Sequence, residues 1–166
     1  MGQHGAKMPG PDVQRLGQAL RPEAGTYALI LRSDANGRVQ VGRNRSLQME
    51  AGYYVYVGSA FGPGGVRARV LRHARNAKSK HWHIDFLRAV AAPIGVWCAY
   101  ADRDLEHRWA RTLSGLPDLT PVPAFGCTDC NCETHLFRSR VMPSMKHFAR
   151  ATGETDDMVT LTAVRV

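Results

Sequence analysis

The segment from Tyr53 to Asp85, YYVYVGSAFGPGGVRARVLRHARNAKSKHWHID, constrains this chain more than any other. Its β-branched and aromatic residues from Tyr53 to Val57 predict a strand. Gly58 breaks that strand, and a Gly/Pro-rich loop, SAFGPGG, follows. Arg67, Arg69, Arg72, His73 and Arg75 then fall in a helical run. Val66, Val70, Ala74 and Ala77 form one stripe at about 100° per residue. Arg69 and His73 lie at its edge, four apart and hence neighbours. That phase turns both toward a cleft and Arg75 toward solvent. Glycine permits close backbone approach, a helix N-terminus favours an anion, and arginine offers a planar fork of donors. The pattern suits a phosphate site; a solvated basic helix face would carry the same residues.

Charge narrows the choice of partner. The chain has 166 residues and a formal net charge of +8, with an isoelectric point near 9.8. A polyanion is the expected partner: nucleic acid first, and an anionic membrane surface second. Arg67, Arg72, Arg75, Lys78 and Lys80 cluster after the loop as candidate nucleic-acid contacts. No apolar run approaches the roughly 18 residues of a spanning helix, which excludes that kind of membrane protein. Residues 1–24 contain no apolar stretch of the secretory type. The expected compartment is therefore cytoplasmic, where cysteines stay reduced or hold metal.

Along the chain, residues 1–24 read as a flexible arm with a short helix near 12–20. GTYALILRS from Gly25 has the apolar density of a central strand. Asn36-Gly37 marks a hairpin turn, RVQVGR at 38–43 the returning strand, and 44–52 a loop. A second helix is expected from about His81, and a buried strand at 94–101 that places Cys98 in the core. DRDLEHRWARTLSGL predicts a further helix with acidic residues in its first turn. Its stripe is Leu105, Trp109, Leu113 and Leu116; Glu106 lies beside it, while His107 and Arg108 face outward. PSMKHFARAT predicts a short helix opened by Pro143, and DMVTLTAVRV an extended end. The expected division is an arm at 1–24, a domain at 25–142 with a Cys/His loop at 125–136, and a packed extension at 143–166.

Gly25-Thr26-Tyr27 and Tyr56-Val57-Gly58 lie on two strands, Arg69 and His73 on the next helix, and Glu106 on a later one. This ordered set resembles the GIY-YIG nuclease superfamily, in particular its small standalone branch, whose hallmarks stand here as YVYVGSA, RVLRHAR, HWHIDFL and FGCTDCNCETHLF. The resemblance implies an α+β fold, a small, three-stranded, mostly antiparallel sheet flanked by helices. It also implies cleavage of phosphodiester bonds with a divalent metal, Mg²⁺ or Mn²⁺. Tyr27 and Tyr56 would be the site tyrosines, Arg69 the helix arginine and Glu106 the metal-ligating glutamate. A tyrosine whose pKa is lowered by nearby cations can act as a general base. Arg69 can stabilise phosphoryl charge, and a metal can relieve the leaving oxygen. The chain departs from the pattern at Thr26, at Ser59 where some members carry lysine, and in the long separation of Tyr27 from Tyr56. The last points to a hairpin inserted at 38–44. Without the lysine, His73 is expected to supply the cation that lowers the tyrosine pKa. Asp85 and Asp104 compete with Glu106 for the metal, and His81 and His83 converge with Asp85 if 81–82 is loop. A non-catalytic nucleic-acid-binding module on the same scaffold is the alternative.

The second constellation is Cys127-x2-Cys130-x-Cys132-x2-His135. Three thiolates and an imidazole match a tetrahedral, structural Zn²⁺ site. A reduced-cysteine loop, or a redox pair of Cys127 and Cys130, uses the same residues.

Overall fold

The computed structural model describes residues 13–75, 79–101, 104–127 and 130–153. Ala77, Lys78, residues 1–12 of the expected arm and the extended run after 153 lie outside them.

The fold is α+β, built on a five-stranded antiparallel sheet. The central strand β1 (Gly25–Ser33) is buried along nearly its whole length. It pairs antiparallel with β4 (Gly52–Ala60) on one side and β5 (Ala92–Tyr100) on the other. A helix α1 (Val13–Ala19) precedes it. Strands β2 (Gly37–Gln40) and β3 (Ser46–Met49) pair only with each other. The expected return of 38–43 onto β1 is thus corrected: those residues belong to a separate hairpin. The reason is patterning. The alternating, half-exposed side chains of β2 cannot occupy a place buried on both faces, whereas YYVYV can.

Helices α2 (Gly65–Ala74) and α3 (His83–Leu87) follow β4. After β5 come α4 (Glu106–Ser114), the short edge strand β6 (Thr120–Pro121), β7 (Leu136–Ser139) and α5 (Met145–Thr152). Strand order is β5-β1-β4-β7-β6, so the Cys/His segment feeds two further strands and the sheet has five rather than three. Pro121 sits on the edge, where a missing N–H costs no ladder bond.

Successive residues of β1 point to opposite faces, and two cores result. Tyr27, Leu29 and Leu31 pack with Tyr54, Val66, Val70, Ile84 and Leu87. Ala28 and Ile30 pack with Val55, Val57, Trp109, Leu113, Phe137 and Phe148. Leu16 and Leu20 are buried in the first core, so the packed body begins before Gly25. Helices α2 and α3 therefore cover the face that carries Tyr27 and Tyr56, and α4 and α5 the other. Among the described residues no helix is long and apolar enough to cross a membrane.

Candidate functional site

Register brings the two tyrosines together. Tyr27 is opposite Gly58 and Leu29 opposite Tyr56, which makes Tyr27 and Tyr56 diagonal neighbours on one face. Gly58 is required there: a Cβ on it would stand 2.6 Å from Tyr27 Cζ. From α2, His73 reaches into the same space. Its Nε2 is 2.7 Å from the Tyr27 hydroxyl, and its ring meets Tyr56 edge-on at 6.2 Å. Burial lowers the His73 pKa to about 4 despite the opposing pull of Asp85, with Arg72, Arg69 and Arg88 adding to the depression. His73 is therefore neutral at pH 7. Burial, then Tyr56, raises the Tyr27 pKa, and burial, then Glu106, raises that of Tyr56. The expectation that His73 serves as a cation lowering a tyrosine pKa is thereby corrected, because desolvation and the neighbouring arginines together outweigh Asp85 and keep the imidazole neutral.

The cations divide into free and committed. Arg72 closes its fork on Asp85, with both N–O distances 3.0 Å. Asp85 Oδ2 also accepts the backbone N–H groups of His81 (2.8 Å) and Trp82 (2.9 Å). Residues 81–82 are loop, yet among the described residues no imidazole bonds to Asp85; it starts α3 and fixes Arg72. Burial alone would raise its pKa, but these bonds hold it below the usual carboxylate range. His81 is exposed, and His83 packs against Phe125. Arg69 stacks over Trp82 with its guanidinium carbon 4.5 Å from the ring centroid, and no carboxylate pairs with it among the described residues. Arg72 lies over the same ring at 4.0 Å. Trp82, 40% exposed, is a site residue that sequence reading passed over, although it stands inside HWHID beside a cationic helix. Arg75 and Lys80 are exposed and Arg67 is half-buried.

Glu106 opens α4 with its side chain 17% exposed. Ser59 Oγ donates to its Oε2 at 2.9 Å, so the residue that follows Tyr56-Val57-Gly58 binds the glutamate. His135 Nδ1 lies 2.9 Å from Oε1, close enough to pair but not aligned as a hydrogen bond. Burial would raise the Glu106 pKa; His135 and Ser59 outweigh it and keep the group ionised. Asp104 Oδ1 accepts the Glu106 N–H at 2.9 Å just ahead of α4, and its side chain is exposed.

His107, Cys130, Cys132 and His135 gather into one cluster, their candidate ligand atoms all within 4.8 Å of one another. His107 Nδ1 is 3.2 Å from Cys132 Sγ, and Cys130 Sγ is 3.4 Å from His135 Nε2. The cluster can hold a metal ion. It differs from the expected set: Cys127 lies outside, its thiol directed at the Glu133 carbonyl, and His107 takes its place. Helical phase correctly turned His107 away from the core, but the Cys/His loop lies on that side. Desolvation, then Cys130, pushes the Cys132 thiol up to about 11. Gly126 has φ 71°, and a Cβ on it would stand 3.3 Å from Tyr56 Cε2 and 3.4 Å from His135 Cβ, so the loop packs closely against both residues. Tyrosine site and cysteine cluster thus meet at Glu106 and His135.

The profile of a domain of unknown function, DUF123, matches residues 26–156. The chain belongs to the DUF123 family. That span contains every residue of the site, from Tyr27 to His135, whereas α1, which completes the first core, precedes the DUF123 match. No curated protein and no solved structure matches the chain.

Proposed function

We propose that this DUF123 protein hydrolyses phosphodiester bonds in nucleic acid, DNA first, as a metal-dependent endonuclease of the GIY-YIG type. One observation carries the reading: β4 sets Tyr56 edge-on to His73 beside Tyr27 and, three residues on, holds Glu106 through Ser59 at 2.9 Å, so side chains from β1, β4, α2 and α4 converge. Arg69, unpaired by any described carboxylate, keeps donors for a phosphoryl oxygen. Tyr56, held protonated, is a donor toward substrate rather than a phenolate. Proton acceptance falls to the Tyr27–His73 pair, because a neutral imidazole has a lone pair to offer.

A hard divalent cation fits through Glu106. Among the described residues its Oε2 accepts from Ser59 alone and keeps a second lone pair, and Mg²⁺ is commonly held by one carboxylate with waters and substrate phosphate. When bound, the cation would offset charge on a phosphoryl oxygen. Arg75, Lys80 and Arg67 are the remaining candidate backbone contacts; Arg72 is neutralised by Asp85.

The test is incubation with single-stranded, nicked, flapped and branched DNAs in Mg²⁺ or Mn²⁺. Cleavage that EDTA stops supports the reading. A second reading is favoured by the engagement of both Glu106 oxygens by Ser59 and His135: a binding module without turnover. It predicts salt-sensitive binding with no cleavage of any substrate in the panel.

A further inference from the structure

We propose that His107, Cys130, Cys132 and His135 form a closed zinc centre, and that Glu106 is its positioning residue, acting through His135. The donor set is two sulfurs and two imidazoles, which suits Zn²⁺ over the hard cations. The spacing suits it as well. Zn–S and Zn–N bonds of about 2.3 and 2.0–2.1 Å in a tetrahedron separate sulfur from nitrogen by about 3.6 Å. The two measured N–S separations are 3.2 and 3.4 Å, so the side chains need only small movements to admit an ion. A groove of about 700 Å³, lined in part by His107, Cys130, Cys132 and Arg111, opens beside the cluster and gives an entry path.

His135 joins the two sites with its two ring nitrogens. Nε2 faces Cys130, and Nδ1 stands 2.9 Å from Glu106 Oε1. A metal-bound imidazole typically turns its other nitrogen to a carboxylate, which fixes the ring and raises its basicity. Nδ1 here is buried without an aligned partner; ligation of Nε2 would seat the ring and complete that contact. Four protein ligands leave no open position, so the zinc performs no hydrolysis. It ties α4 to the Cys/His loop and the start of β7, and it sets the direction of one Glu106 oxygen.

The experiment measures metal rather than cleavage, so its result is independent of the nuclease reading. Full-length protein purified from zinc-replete medium is analysed for metal content, then titrated with a chromogenic chelator and reconstituted with Co²⁺. The expected result is one zinc per chain, retained by Cys127→Ala, with a Co²⁺ spectrum of tetrahedral thiolate type. Glu106→Gln keeps all four ligands; it should retain the stoichiometry and bind zinc about 10–100-fold more weakly. Circular dichroism checks that each variant is folded. Less than half an equivalent in wild type, or loss of the metal in Cys127→Ala, overturns the ligand set. Unchanged zinc affinity in folded Glu106→Gln overturns the role of Glu106.

Discussion

The Tyr27 hydroxyl and His73 Nε2 lie 2.7 Å apart in the core, although 46 positions separate the residues in sequence. Among the described residues His73 Nδ1 has no hydrogen-bond partner, so there this contact is the imidazole's single hydrogen bond. Tyr27→Phe removes it and leaves a buried ring with neither nitrogen bonded. The expected cost is about 1–3 kcal/mol of stability, read as a lower denaturation midpoint with an unchanged urea slope. A shift below a few tenths of a kcal/mol would mean that the bond contributes nothing.

The same imidazole makes stability depend on pH. The His73 pKa falls from 6.5 unfolded to about 4 folded. Between those values the unfolded chain binds more protons, so stability rises with pH there. The contribution is fully present above about pH 6.5 and is lost as pH falls toward 4. At about 1.4 kcal/mol per pKa unit it amounts to about 3 kcal/mol. His73→Gln does not titrate and should flatten this window. Asp85 and Glu106, both held below their usual values, lose their contributions at lower pH still. Equal slopes between pH 6.5 and 4.5 in wild type and His73→Gln would refute the assignment.

Gly58→Ala tests the packing that seats the pair. The added methyl would stand 2.6 Å from Tyr27 Cζ, too close unless the ring shifts, and overpacking of this kind costs about 1–3 kcal/mol. Combining it with Tyr27→Ala, which clears the space, should recover part of the loss. Strict additivity of the two substitutions would show that they do not communicate.

Arg72 and Asp85 form the ion pair that shapes HWHID. The Asp85 side chain is 3% exposed and that of Arg72 29%. Arg72→Ala strands a buried carboxylate, and the expected loss is on the order of 2 kcal/mol, less than the about 3–5 kcal/mol of a fully buried pair. Asp85→Asn in the same chain should return part of it. DNA affinity should change little beyond the loss of stability, because Arg72 carries no net charge to a phosphate.

Much of this arrangement is legible in residue patterns. The density of GTYALILRS marks β1, and the alternation of YYVYV fixes which face takes Tyr56 and hence which residues α2 covers. The stripe Leu105, Trp109, Leu113 sets α4 and the place of Glu106 beside it. What periodicity cannot reveal is which loop meets an outward face. His107 turns away from the core by phase, and only the path of the Cys/His segment brings Cys132 to it. Asp85 is equally opaque, since an aspartate that caps a helix and one that orients a histidine read alike. The tyrosine pKa values depend on burial, which a motif does not record.

Glu106→Gln and Arg69→Ala separate the two halves of the proposed chemistry. Glutamine keeps the size of Glu106 and can still accept from Ser59, so the fold should survive. It removes the anionic ligand of a hard cation, and metal stabilisation of a phosphoryl oxygen is worth several kcal/mol. Cleavage should fall by orders of magnitude, while DNA binding holds or tightens because a negative charge near phosphate has gone. Arg69→Ala should also abolish cleavage, but with weaker binding, since among the described residues no carboxylate pairs with its guanidinium. The measurement is single-turnover cleavage beside a binding isotherm for each folded variant, with Zn²⁺ and Mg²⁺ supplied. Shared inactivity with opposite shifts in affinity is the expected outcome. Near wild-type cleavage by Glu106→Gln would remove the glutamate from the chemistry and leave it to the cysteine cluster alone.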